Sequence, residues 1–421
     1  MNATKPNATK LNEFDLVIVG GGLVGASLAC ALAESPLRIA MVEAQPFNTE
    51  QHPGFDARTV ALAAGSQQIF NAMGLWEAIA AQGVTPIRRI HVSDRGHAGS
   101  AHLDAAEQGL AAMGYVADIR VLGQVLSRQL EQQANVTLFC PASVKAVQFA
   151  PAHAKVVLQH DDALHEITAA LVVAADGGNS FIRNDSGIAT FTLDYHQSAL
   201  ISNVAVDRPH RNIAYERFTD SGPMALLPTR DEQGNDNTFA LVWTLKPEQV
   251  EAVQGWDEAT FLSQLQQRFG ERAGQFTRSS QRHLYPLKFL QTREHVRPRL
   301  AVIGNAAHTL HPVAGQGFNL GLRDVAVLSQ VLIDALAQND DPGDLGVLRR
   351  YARWRRRDHL QTSLATDALV RVFSNNFLPL AVARNLGLTL LDTLPPLKKQ
   401  LVRHAMGYVG KLPRLARGLK P

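Results

Sequence analysis

The chain has 421 residues, 41 Lys and Arg against 38 Asp and Glu for a net charge of +3, and is 46% hydrophobic and 19% charged. That composition builds a large core and excludes collagen-like, disordered and disulfide-scaffold chains, and the length exceeds one compact domain. The near-neutral balance gives no chain-wide case for nucleic acid. Cys30 and Cys140 are the only cysteines and have no CxxC or metal-like partner, so both are expected reduced and buried, with no metal site. Met1 to Phe14 is polar and lacks an apolar signal core, and no apolar run reaches the roughly 18–20 residues of a membrane span, so an intracellular protein is expected.

Asp15 to Val19 reads as a buried parallel strand, running into Gly20-Gly-Gly22-Leu-Val-Gly25 and a helix over Ala26 to Glu34. Ser35-Pro36 closes that helix, and Arg38 to Glu43 forms a second strand. The spacing suits a dinucleotide. Gly20 makes the tight turn, Gly22 lets the backbone approach a pyrophosphate, and Gly25 lets helix and strand pack closely; the helix N-terminus offers amides to the phosphates. Glu43, about 20 residues on, can accept bonds from both ribose hydroxyls. The unit serves FAD or NAD; its place near the N-terminus with no second copy downstream leans towards FAD.

After the Pro53-Gly54 turn, Arg58 is either a charge-assisted donor to the pyrophosphate or a plain surface arginine, and Thr59 to Met73 reads as a helix. Ile87 to Asp94, Asn203 to Val206 and Phe239 to Thr244 read as strands of an antiparallel sheet, in which His91, His97 and His102 are scattered and are expected to be structural or solvent-facing. Leu171 to Asp176-Gly177 is another buried strand ending in an acidic turn. A third block, Arg299 to Gly304-Asn305, leads into His311-Pro-Val-Ala-Gly315-Gln316-Gly317-Phe-Asn319 and a helix running on from Asp324. Amides at Gly315 to Asn319 could stabilise negative charge on a reduced flavin, and Asn305 could bond a polyol.

The three glycine blocks together resemble the FAD-dependent aromatic hydroxylases of the para-hydroxybenzoate hydroxylase type. The segment His311 to Asp324, with His52 to Arg58, Val92 to Gly99 and Tyr215 to Phe218, is similar to the ubiquinone-biosynthesis branch, nearest the 2-polyprenyl-6-methoxyphenol hydroxylases. The resemblance implies an α/β fold: a Rossmann-like FAD-binding domain over 14–75, 115–190 and 295–345, an antiparallel-sheet substrate domain over 76–114 and 191–294, and a helical C-terminus over 346–421. It implies Gly20, Gly22, Gly25 and Glu43 on the ADP half of FAD, Arg58 near the pyrophosphate, and the Asp176-Gly177 turn in cofactor and nicotinamide handling. Asn305 would lie on the ribitol, Gly315, Gln316, Gly317 and Asn319 along the isoalloxazine, and Pro312 on the substrate side. Asn305 departs from the usual Asp, and Ile119 stands where relatives have a polar flavin contact.

The implied activity is hydroxylation of a prenylated methoxyphenol with NAD(P)H as electron donor and O2 as co-substrate. A flavin dehydrogenase or reductase of another lipophilic substrate and a non-catalytic, FAD-retaining assembly subunit are the competing readings. From Leu394 to Pro421 there are seven Lys and Arg and no acidic residue, interleaved with apolar side chains. This tail suits docking on an anionic membrane surface, against the alternative of packing on the protein body. The corresponding expectation is a cytoplasmic protein, peripheral on the inner membrane, in reach of a complex with other ubiquinone-biosynthesis proteins.

Overall fold

The computed structural model describes residues 12–47, 58–97, 99–231, 233–311, 315–373, 394–408 and 410–421. Its first sheet has a parallel centre of β1 (Glu13–Val19), β2 (Ile39–Val42), β8 (Val136–Phe139), β11 (Ala163–Ala174) and β19 (Leu300–Val302). The order is β19-β11-β1-β2-β8, with β18 (Val296–Arg297), β9 (Ala142–Phe149) and β10 (Ala154–His160) attached antiparallel. β1 shows why the sheet must be covered on both faces. Leu16 and Ile18 join one apolar cluster, with α1 (Leu23–Ala31) and α8 (Gln316–Ala337), while Phe14, Val17 and Val19 join the other.

The second sheet runs β20 (His308–Thr309), β17 (His283–Thr292), β12 (Thr190–Val206), β15 (Thr238–Leu245), β14 (Gly222–Thr229), β13 (Ile213–Thr219), β5 (Arg89–Asp94), β6 (Ser100–Asp104), with β16 (Phe276–Ser279) beside β12. Its pairing is antiparallel except where β13 meets β5 in parallel. One face, with Leu200, Met224, Leu226 and Trp243, is closed by Val253 of α6 (Pro247–Gly255) and Phe261, Leu265 and Phe269 of α7 (Glu258–Phe269). The opposite face turns towards a small sheet, β3 (Thr59–Ala63), β7 (Gly114–Asp118) and β4 (Thr85–Ile87). The remaining described α-helices are α2 (Ala64–Ala72), α3 (Trp76–Ala80), α4 (Ile119–Glu131), α5 (Phe181–Asp185), α9 (Leu345–Phe373) and α10 (Pro395–Ala405).

Several sequence readings shift. The segment after Arg58 begins as strand β3, and only from Ala64 as helix, because β3 pairs with β7 and its alternate residues face different neighbours. The run Ile87 to Asp94 is cut at Arg88 into β4 and β5, which lie in different sheets. The helix expected to open at Gly315 to Asn319 and run on through Asp324 does start there, at Gln316. Cys30 is buried, its thiol pushed up to about 12 chiefly by desolvation, but Cys140 is only half-buried. His91 and His102 pair across β5 and β6, their ring nitrogens 2.8 Å apart.

The C-terminal tail packs on the protein body along part of its length. Val402 and Met406 are buried among Ala64, Leu103, Val116 and Ala214, and Leu415 and Ala416 enter the main core. Lys398 pairs with Glu107, Arg414 with Asp334 and Lys420 with Glu34, and Lys411 lies over the Trp354 ring. Of the apolar stripe expected to face lipid, Val402, Met406 and Leu415 are buried on the body, while Leu401 is exposed. No helix among the described residues is long and apolar enough to cross a membrane. Leu415→Ala should therefore lower the unfolding free energy by about 2–5 kcal/mol, measurable by urea denaturation, as for other fully buried leucines.

Candidate functional site

The site is built where strand ends of the first sheet meet helix starts. Gly20 leaves β1 with φ +100°, and its N–H donates to the Val42 carbonyl at 2.8 Å. A Cβ there would lie 2.5 Å from the Ala175 carbonyl oxygen, and one on Gly25 would lie 1.9 Å from that of Gly20. Those two glycines are required by the protein itself. Gly22 is different: it caps α1 with extended backbone and no side-chain cap, and a Cβ there would meet nothing within 4 Å. The open space lies against uncapped amides at the positive end of a helix, which is the environment a pyrophosphate needs. Beside it, the buried Glu43 carboxylate accepts from the Gly21 amide at 2.6 Å and the Gln45 amide at 2.8 Å.

The next strand end carries Asp176 and Gly177, the latter with φ +82°. Asp176 Oδ2 accepts from the Ile182 amide at 3.2 Å, while Oδ1 is buried without a hydrogen-bond partner. Desolvation raises this carboxyl above its ordinary value against the hydrogen bonds that favour the charged form. Asn305 sits in the single 3-10 turn Gly304–Ala306 between β19 and β20, with its side chain exposed and no hydrogen bond among the described residues. An open Gly22 cradle, an orphaned acceptor on Asp176 and an unpaired amide at Asn305 fit a dinucleotide with a polyol arm.

Arg58 places its guanidinium 4.8 Å over the Tyr285 ring of β17, and its carbonyl accepts from the Ile119 amide. Gly315 caps α8 with φ +60° beside Ala61, followed by Gln316 and by Gly317, around which there is open space. Asn319 has a role the sequence reading did not give it. Its Nδ2 donates to the Ala61 and Gly315 carbonyls at 2.8 and 2.7 Å, and its Oδ1 accepts from the Ala63 amide and the Ser66 hydroxyl. With all four positions of the amide used, the side chain pins the Gly315 turn to β3 and does not reach for a flavin. Pro312 and His52 to Ala57 lie outside the described residues.

Behind the loops lies a buried charge network. Asp324 of α8 accepts from His308 at 2.7 Å, His359 at 2.6 Å, Arg355 at 2.7 Å and the Gly304 amide at 3.2 Å. Burial works to raise Asp324, but His359, Arg355 and His308 outweigh it and hold the carboxyl well below the usual range. His308, Asp324 and His359 converge closely enough to ligate a metal. The Arg355 guanidinium on the same carboxylate supplies the positive charge and opposes a second cation, so this is an ion-pair network. The signal for it was present in the sequence: Asp324 is a charge within the apolar run Leu320 to Leu328, which demands a buried partner.

Two buried imidazoles are held neutral. Desolvation lowers His311 to about 4, with both ring nitrogens unpartnered; it also lowers His295 to about 4, against the pull of Asp324. The unfolded chain takes up protons on such rings near pH 6.5 and the folded protein only near pH 4, so their contribution is intact above about 6.5 and is lost as pH falls towards 4. Urea midpoints from pH 7 to 4.5 should fall more steeply for the wild type than for His311→Gln.

A family described as "FAD binding domain" matches residues 13–361. Ubiquinone hydroxylase UbiL of Rhodospirillum rubrum is 38% identical over 96% of this chain and 93% of its own length. The 3-demethoxyubiquinol 3-hydroxylase of Escherichia coli is 34% identical, covering 93% of this chain and 98% of its own. The structure of p-nitrophenol 4-monooxygenase PnpA from Pseudomonas putida superposes with a TM-score of 0.76 over 95% of this chain and 100% of that one, at 18% identity.

Proposed function

The chain belongs to the FAD-binding monooxygenase family that contains the ubiquinone-biosynthesis hydroxylases, and on that premise we propose that it hydroxylates a prenylated methoxyphenol, using NAD(P)H and O2. The observation that carries the reading is the open cradle at Gly22 between the Gly20 turn and Glu43. When bound there, FAD supplies the oxygen chemistry, and the protein supplies placement and exclusion of water.

In this reading Gly20, Gly22 and Gly25 shape the pyrophosphate turn, Glu43 takes the ribose, and Arg58 and the Asp176-Gly177 turn border the cofactor. Asn305 bonds the ribitol, while backbone at Gly315, Gln316 and Gly317 lines the ring and Asn319 holds that backbone in place. The cofactor domain comprises 14–75, 115–190 and 295–345, and the substrate domain 76–114 and 191–294. A prenyl chain keeps the substrate in the bilayer, so the enzyme works at its surface. The outer side of α10 supports this, with Lys399 and Arg403 exposed around an exposed Leu401.

Gly22→Val is a direct test of the cradle. Because the added side chain meets no protein atom at its Cβ, the fold should survive while flavin content of the purified protein drops to near zero. For the reaction, a prenylated methoxyphenol should accelerate NAD(P)H oxidation and gain a ring hydroxyl whose oxygen comes from labelled O2. Label arriving from water, or turnover undiminished without O2, would favour a dehydrogenase.

A further inference from the structure

Glu216 is a carboxylate that neither the fold nor the cofactor site uses. It lies on β13, in register with Ala225 of β14 and Val92 of β5. Side chains alternate across a strand, so Tyr215 and Arg217 point to the α7 side, where both meet Phe269. Glu216 therefore shares the opposite face with Ala214. Two residues along, Ala214 packs in the cluster that contains Ala64 and is lined by Leu227 and Ala61. Ala61 is the residue against which Gly315 turns. The carboxyl is thus placed about 7 Å along the strand from the layer that touches the loop assigned to the reacting ring.

The surroundings are those of a floor rather than a core. On the same face, Val92, Ala225, Val242 and Ile201 follow one another across the strands, each only partly buried, and the row ends at the exposed His283 of β17. Glu216 has no hydrogen bond or ion pair among the described residues. Half-buried on this face, the carboxylate loses part of its hydration without gaining a donor, which costs free energy and returns nothing to the fold. Such a cost is tolerated where a ligand supplies the missing partner.

Resting on the hydroxylase reading above, we propose that Glu216 is a catalytic base for the phenolic hydroxyl of the bound substrate. The phenol O–H bond breaks, its proton passes to the carboxylate, and the electron pair stays on the ring oxygen, activating the ring for attack on an electrophilic oxygen. As the C–O bond forms, the oxygen's leaving group takes the proton released when the ring C–H bond breaks and aromaticity returns. The carboxyl gives its own proton back to the phenolate oxygen, so the exchange leaves the overall consumption of O2 and NAD(P)H unchanged. Desolvation pushes the Glu216 carboxyl up to about 8. That value lies between an ordinary glutamate near 4.3 and a phenol near 10, so the carboxyl is ionised and able to accept the phenolic proton chiefly above about pH 8.

The test compares wild type, Glu216→Gln and Glu216→Asp on two prenylated phenols, one of ordinary acidity and one acidified by ring fluorination. Labelled product and flavin content are both measured. On the ordinary phenol Glu216→Gln should lose about 100-fold in kcat, with KM and flavin content little changed. On the fluorinated phenol, which ionises without help, it should lose less than about tenfold. Glu216→Asp should keep the wild-type ratio between the two substrates. Glu216→Gln should also melt at a higher temperature, since it removes a buried carboxylate that has no partner. An equal loss on both phenols, or no loss on either, would overturn the assignment. Wild type that incorporates no labelled oxygen into either phenol would instead sink the hydroxylase reading itself.

Discussion

Asp324 is the point at which the separate parts of this molecule are tied together. Its carboxylate gathers donors from the Gly304 turn, from His308 at the edge of the second sheet, and from Arg355 and His359 of α9. The Gly304–His308 stretch and α9 are thereby both fixed to the N-terminal half of α8. Arg355 also reaches the Leu320 carbonyl and pairs with Asp358, which in turn holds Arg323. Removing Arg355 leaves the Asp324 carboxylate buried without its main counter-charge, a loss of about 3–5 kcal/mol. The loop bearing Asn305 is tied into this arrangement through the Gly304 amide, and the turn at Gly315 inherits its position from it through α8.

Close backbone approach is the second device. Gly321 of α8 and Gly304 both abut Val24 of α1, so the two helices, already packed together in the core, come especially close at this valine. In the proposed reading the first helix faces the pyrophosphate and the second faces the ring. Their separation is set by residues with no side chain, which leaves little freedom for one half of a cofactor to shift relative to the other.

How much of this could be read beforehand depended on whether the cause was local. β1, the Gly20 turn, α1 and β2 follow from short-range pattern, and the structure reproduces them to within a few residues. The acidic turn after β11 and the Gly304 block were visible for the same reason. β3 was misread because Thr59 to Ala63 has no strong strand pattern of its own and becomes strand only through β7, more than fifty residues later. Asn319 was visible as part of a motif, yet its partners, Ala61, Ala63 and Ser66, sit some 250 residues away. The tail was ambiguous in principle. A basic amphipathic helix has the same pattern whether its apolar stripe meets lipid or protein, and only the third dimension decides.

That packed tail also sets the order in which the molecule can be completed. The Met406 carbonyl accepts from the Gly65 amide at the start of α2, and Val402 fills the seam between the small sheet and the second sheet. Both contacts join the first seventy residues to the last twenty. During synthesis the N-terminal nucleotide turn leaves the ribosome long before its lid of C-terminal residues exists, so the seam stays exposed until translation ends. A message cut short near its end would yield a chain with an open apolar seam, a substrate for proteases and chaperones rather than a slightly shorter enzyme.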